Sequence, residues 1–325
     1  MSAATERTHR TTARSGSRAA PSVSAWSAWS TRPVRRGRPL RLGAVLAVLV
    51  AAVAGCAPQE DTGSAAPPAG LSTGTGCAKG RLATVADGKL TVGTDKPAYA
   101  PWFRDDDPAG GKGFESAVAY AVADRLGYAR SDVVWQTVPF NSAVAPGRKK
   151  FDLDFNQISV SDERRRAVDL SSGYYTVRQA VVALKDSPAA KATTVEDLRH
   201  AKLGAMVGTT SLDLVNDTVR PGRQPAVFQK NDHAKTALKN GQVDAIVVDL
   251  PTAFFITSAE IPEARIVGQF PSSGGRAEQF GIALDKGSGL TACVNRAVDS
   301  LHEDGTLARL EKTWLSEAAD APVLT

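Results

Sequence analysis

LTVGTDKPAYAPWF, residues 90–103, changes character twice within fourteen positions. It opens as a short apolar strand, Leu90 to Gly93. It then passes without a break into a polar loop with one carboxylate, Asp95, and three aromatics, Tyr99, Trp102 and Phe103. An amphipathic helix follows. Phe114, Val118, Val122 and Leu126 recur every four residues, and Gly127 supplies the stop. Strand, loop and helix in this order form the unit of open α/β sheets, which present their ligand crevice at the strand ends.

The same alternation continues downstream. Val133-Val134-Trp135 and Phe151 to Phe155 read as strands. Thr193 with Glu196 reads as a capping box before a short helix. Lys202 to Val207 is a strand and Ser211 opens a helix. Asp232 caps a helix closed by Gly241, and Val243 to Val248 is a buried strand. A last strand, Phe280 to Leu284, precedes two helices marked by Val294, Val298 and Leu301, then Leu307, Leu310 and Trp314. The expectation is an α/β fold with mainly parallel sheets.

Upstream, the chain is organised for export. Of its 325 residues, the first 55 carry nine arginines and one acid, Glu6. The remainder has 30 basic against 33 acidic residues, a formal charge of −3 in place of the whole-chain +5. A nucleic-acid partner needs surplus Lys and Arg to neutralise phosphates, so that class is excluded. Leu42 to Ala54 is apolar over thirteen residues, short of the roughly 20 that span a bilayer. Behind Arg35, Arg36, Arg38 and Arg41 it reads as a signal peptide, residues 1–55. Val53-Ala54-Gly55-Cys56 resembles a bacterial lipobox, which makes Cys56 the expected lipidation site and first mature residue. Residues 56–76, rich in Ala, Pro, Gly, Ser and Thr, read as a disordered tether. Cys77 and Cys293 remain; an oxidising compartment favours a disulfide between them, with two free buried thiols as the alternative. No His/Cys cluster has zinc-like spacing, so neither a metal nor a cofactor is expected.

Enzyme motifs are missing. There is no G-x-S-x-G elbow, H-E-x-x-H, P-loop or G-x-G-x-x-G after a strand. Gly110-Gly111-Lys112-Gly113 lacks a following Ser or Thr and reads as a turn. Polar residues gather instead at strand ends. Besides Asp95, the run Asn156-Gln157-Ile158-Ser159-Val160-Ser161-Asp162-Glu163-Arg164 leaves one strand, and Gly208-Thr209-Thr210-Ser211 leads into a helix N-terminus, which suits an anion. Asp249 ends the apolar strand Ala245-Ile246-Val247-Val248.

In this order GTDKPAYAPWF, GFESAVAYAVADRLGY, ISVSDERRRAVDLSSGYY, GAMVGTTS, GQVDAIVVD and DGTLARLEKTWL resemble the family 3 extracellular solute-binding proteins of polar amino acid ABC importers. The resemblance covers residues 88–316. It implies a two-lobed, type II periplasmic-binding-protein fold with two hinge crossings, near Val181–Lys185 and Gln269–Phe280. The expected bounds are 77–183 for the first part of lobe 1, 184–270 for lobe 2 and 271–325 for the return to lobe 1. By position, Arg164 holds a ligand α-carboxylate, with Ser159 and Thr210 as further donors. Asp249 accepts from the α-ammonium, and Asp95, Tyr99 and Trp102 line the space for the rest. Asn156 and Gln157 stand where the family often has small residues, and Asn141 to Lys150 makes a poorer helix than usual.

The resemblance further implies a non-enzymatic, monomeric receptor on the extracellular face of the membrane, serving an ABC permease. Two alternatives stand beside it. One is a secreted dehydratase-like enzyme with Asp95 or Glu115 as its acid/base, although Glu115 is expected to stabilise a helix N-terminus. The other is a ligand-sensing ectodomain.

Overall fold

The computed structural model describes residues 76–271, 277–315 and 321–325. The expected signal peptide, Cys56 and nearly all of the tether therefore lie outside the described residues. In chain order the elements are β1 (Leu90–Thr94), α1 (Phe114–Arg125), β2 (Val133–Thr137), α2 (Phe140–Val144), β3 (Leu153–Asp154), α3 (Asp162–Ala167), β4 (Asp169–Val177) and β5 (Gln179–Leu184). Then come β6 (Leu203–Met206), α4 (Thr210–Leu214), β7 (Ala226–Phe228), α5 (Asn231–Lys239), β8 (Ala245–Asp249), α6 (Leu250–Phe255) and β9 (Ala264–Gln269). The last are β10 (Glu278–Leu284), α7 (Thr291–Glu303) and α8 (Thr306–Leu315).

These build two mixed five-stranded sheets, ordered β2-β1-β3-β10-β4 and β7-β6-β8-β5-β9. Each is parallel at one side, where helices connect the strands, and antiparallel where the crossing strands join it. The chain is therefore α/β with two lobes. Every residue of β1 is buried, as expected of a parallel strand covered on both faces. In β5 the period of two splits the strand: Ala180 and Val182 enter one core, Val181 and Ala183 the core on the opposite face. In the first lobe Trp102, Phe114 and Phe280 form an aromatic centre under α1, α7 and α8. A disulfide between Cys77 and Cys293, with Cα atoms 5.6 Å apart, ties the start of the described chain to α7.

Several boundaries differ from the sequence expectation. The first crossing lies at Arg178, between β4 and β5, and not at Val181–Lys185. Val181 and Val182 instead pair with Val247 and Ile246 inside the second sheet. A run apolar on both faces needs sheet neighbours and cover, which a hinge cannot provide. The second lobe thus begins at Gln179 rather than residue 184.

The C-terminal tail also departs from lobe 1. Val323 bridges Gln269, and Leu324 N–H donates to Gln269 O at 2.9 Å, so residues 321–325 lie along β9 of the second lobe. Leu324 is buried there, in the notch that Gly268 leaves by lacking a side chain.

The helix caps move by a residue or so. Thr194 Oγ1 accepts from Asp197 N–H, while Asp197 accepts from the amides of Thr193 and Thr194, so this pair replaces Thr193/Glu196. Thr209 caps α4, and Asp232 sits within the first turn of α5.

Candidate ligand-binding site

The cleft between the sheets is lined by loops at strand ends, where an open α/β sheet exposes its backbone and side chains to a ligand. One wall carries Asp95, Tyr99, Asn156, Gln157, Ser159 and Arg164; the other carries Thr210 and Asp249. The walls stand close: the cavity between them, as reached by the centre of a water-sized sphere, is about 40 Å³. Eight of the nine residues expected at a ligand are thereby brought together.

Trp102 is the ninth, and it belongs to the core. It is fully buried, and its indole meets the rings of Phe280, Tyr175 and Phe114 edge-on at 5.4, 5.6 and 6.1 Å. Its Nε1–H donates to Thr252 Oγ1 of α6 at 3.0 Å, a contact between the lobes. Of the loop's three aromatics, Trp102 and Phe103 are both fully buried in the first-lobe core, and only Tyr99 faces the cleft.

Arg164 sits on α3, whose N-cap Ser161 accepts from the Arg164 amide. Its neighbours Arg165 and Arg166 are exposed, whereas Arg164 is only 9% exposed. Its guanidinium donates to Ser159 O at 2.7 Å and, across the cleft, to Gly208 O at 3.0 Å, and lies 5.3 Å from the Phe140 ring. Among the described residues no carboxylate approaches it within 4 Å. Burial lowers its proton affinity, but a guanidinium remains charged. Ser159 Oγ lies 3.3 Å from Thr210 Oγ1, so the hydroxyls of opposite walls meet.

Asp249 closes β8 and accepts from Gln179 Nε2 at 2.7 Å. Burial, then the nearby charge of Glu278, push its carboxyl up to about 8. Asp95 accepts from the Lys96 and Phe140 amides at 2.6 and 3.3 Å, which fixes it at the start of α2. Tyr99 presents its ring to Lys235 Nζ at 5.1 Å, and burial raises its phenol above the ordinary range.

Beneath this wall lies a buried polar layer. Glu115 accepts from the Gln157 amide at 2.8 Å, from the Gln157 side chain and from the Tyr174 hydroxyl. Gln157 has a left-handed backbone, φ 49°, and its side chain turns toward Glu115. Glu115 stands in the first turn of α1, where it was expected, and its side chain is engaged inside the first lobe. Burial raises it to about 7. Asp154 is fully buried beside it, both oxygens without a partner among the described residues, and burial holds it well above the carboxylate range. Any side chain at Gly93 would overlap that carboxylate.

Other groups in the cleft escaped the sequence reading. Phe140 and Asn231 line it from the first positions of α2 and α5, with Lys230 just before α5, and Gln179 and Glu278 stand behind Asp249 and Thr210. Gln179 had one available signal, as the single polar residue at the head of the apolar run QAVVAL.

A family model described as bacterial extracellular solute-binding proteins, family 3, matches residues 90–317. The L-cystine-binding protein TcyJ of Escherichia coli is 28% identical over 249 residues, covering 76% of this chain and 90% of its own length. An ancestral arginine-binding protein bound to glutamine superposes with TM-score 0.59 at 28% identity, over 70% of this chain and 98% of its own. The ancestral amino acid-binding protein AncCDT-1, described as a precursor of cyclohexadienyl dehydratase, gives TM-score 0.58 at 29% identity, over 70% of this chain and 95% of its own.

Proposed function

The chain belongs to the bacterial extracellular solute-binding proteins, family 3, and from that premise we propose that it captures an amino acid, or a small zwitterion like one, for an ABC importer. The carrying observation is a guanidinium and a carboxyl facing one cleft from opposite lobes. Arg164 brings a buried guanidinium without a carboxylate partner among the described residues, and Asp249 brings a half-buried carboxyl from the other lobe. A zwitterion supplies a charged partner for each. In this reading Arg164 forks onto the ligand carboxylate with Ser159 and Thr210 beside it. Asp249 accepts from the ammonium, while Asp95, Tyr99 and Asn156 border the rest. The lobes then close around the ligand about the β4–β5 crossing at Arg178, a hinge motion.

Export, acylation at Cys56, tethering at the outer face of the membrane and delivery to a permease complete the proposal. It rests there on the basic lead, the thirteen-residue apolar run and the lipobox-like VAGC. The relatives named above are described by what they bind, which supports a receptor over a dehydratase. A thermal-shift screen against the standard amino acids, L-cystine and common osmolytes tests the binding. A ligand at 100 times its Kd stabilises by about 2.7 kcal/mol. No shift with any amino acid at millimolar concentration overturns the reading. Metabolic labelling with a fatty acid, lost in Cys56→Ser, tests the anchor.

A further inference from the structure

The Thr210 hydroxyl faces the cleft, and a hydroxyl has one hydrogen to give. That hydrogen is already engaged by the protein itself: Thr210 Oγ1 donates to Glu278 Oε1 at 2.6 Å. Glu278 opens β10, the strand that re-enters the first sheet after the second crossing, whereas Thr210 opens α4 in the second lobe. The bond therefore joins the lobes. Gln179 Nε2, at the head of β5, lies 3.2 and 3.4 Å from the two Glu278 oxygens and 2.7 Å from Asp249 Oδ1. One amide nitrogen thus holds two carboxylates at the back of the cleft. Glu278 is also the carboxylate that acts most strongly on Arg164, from outside ion-pair distance.

We propose that Glu278 is an internal stand-in for the ligand carboxylate, a specificity-determining residue that occupies the Thr210 donor and latches the lobes while the cleft is empty. A ligand carboxylate arriving beside Arg164 needs the same hydrogen, so it must displace Glu278 and overcome its like charge. Ligands with a carboxylate meet this competition, and analogues with a primary amide in its place meet less of it. The ligand arm rests on the amino-acid reading above; the latch does not.

The test uses the purified protein, the variants Glu278→Gln, Thr210→Val and Glu278→Ala, and the double variant Glu278→Gln/Thr210→Val. In Glu278→Gln the new amide can donate to Thr210 Oγ1, which frees the hydroxyl hydrogen and removes the charge. Calorimetry with L-arginine, L-glutamine, L-histidine and L-cystine is expected to show about five- to tenfold tighter binding of whichever of them the wild type binds, the equivalent of one ordinary hydrogen bond. In a Thr210→Val background the gain shrinks, because the shared donor is gone and only the like charge remains to be removed. Unchanged or weaker binding in Glu278→Gln overturns the proposal and identifies Glu278 as a support for Thr210. A full gain that persists in Thr210→Val overturns the competition for the hydroxyl as well. If wild type and Glu278→Gln bind neither these four nor any other standard amino acid, the amino-acid reading fails and small-angle scattering of the ligand-free protein decides the latch. A larger radius of gyration for Glu278→Ala supports it, and an unchanged one overturns it.

Discussion

Replacing Arg164 by alanine probes the proposed site at its centre. Of the five N–H donors of a guanidinium, one reaches Ser159 O at 2.7 Å and another Gly208 O at 3.0 Å. Three remain to meet a ligand carboxylate as a fork. With the side chain only 9% exposed, water screens the pair weakly. Removing one partner of a buried charge pair costs about 2–5 kcal/mol. The dissociation constant should therefore rise by roughly 30-fold to several thousand-fold. The free protein should also lose stability, because two carbonyls lose a charged donor, each such bond being worth about 1.5–3 kcal/mol before the relief of a desolvated cation is counted. Arg164→Lys keeps the charge without the fork and should fall between wild type and alanine. Exposed Arg165, whose Nη1 donates to Leu170 O at 3.1 Å, should change affinity by less than about 1 kcal/mol when truncated. Titration calorimetry of the three variants with one amino acid supplies the numbers. Binding by Arg164→Ala within twofold of wild type would refute the assignment.

Asp249 makes binding depend on pH. Its folded-state carboxyl is raised to about 8, so the free protein is stabilised by the bound proton at acid pH and loses that contribution as pH rises through about 8. A ligand ammonium favours the ionised form, so binding at pH 6–7 should release a proton, and affinity should rise from pH 5 towards 8. Calorimetry in buffers of different ionisation enthalpy measures the release, which Asp249→Asn should abolish. Reduction of Cys77–Cys293, or its replacement by two serines, should cost about 2–4 kcal/mol and lower the melting temperature, since the bridge closes 216 positions of chain. Deleting residues 321–325 removes Leu324 from its notch and the partners of Gln269; a loss of about 2–4 kcal/mol in denaturant unfolding is expected. Trp102→Phe removes the indole bond to Thr252 and should cost about 1 kcal/mol with no change in the rank order of amino acids bound. A changed rank order would return Trp102 to the ligand.

The local grammar of the chain was legible because each signal is short-ranged. Leu90 and Val92 alternate with Thr91 and Gly93 as a short strand; Phe114, Val118, Val122 and Leu126 share one helix face. Motif order then placed Asp95, Ser159, Arg164, Thr210 and Asp249 at strand ends, which is where the cleft forms. Tertiary packing settled whatever depends on two distant segments meeting. Whether Trp102 entered the core or the cleft was a competition for apolar surroundings that Phe114, Tyr175 and Phe280 decide. Arg164 differs from Arg165 and Arg166 only through what its direction on α3 brings it against, the Gly208 carbonyl and the Phe140 ring. The tail could pair with β9 because Gly268 leaves a notch for Leu324, a fit between residues 56 positions apart. Glu278 and Gln179 carry no motif. Their significance is a matter of a few ångströms between strands that cross from one lobe to the other, and such distances exist only once the chain has folded.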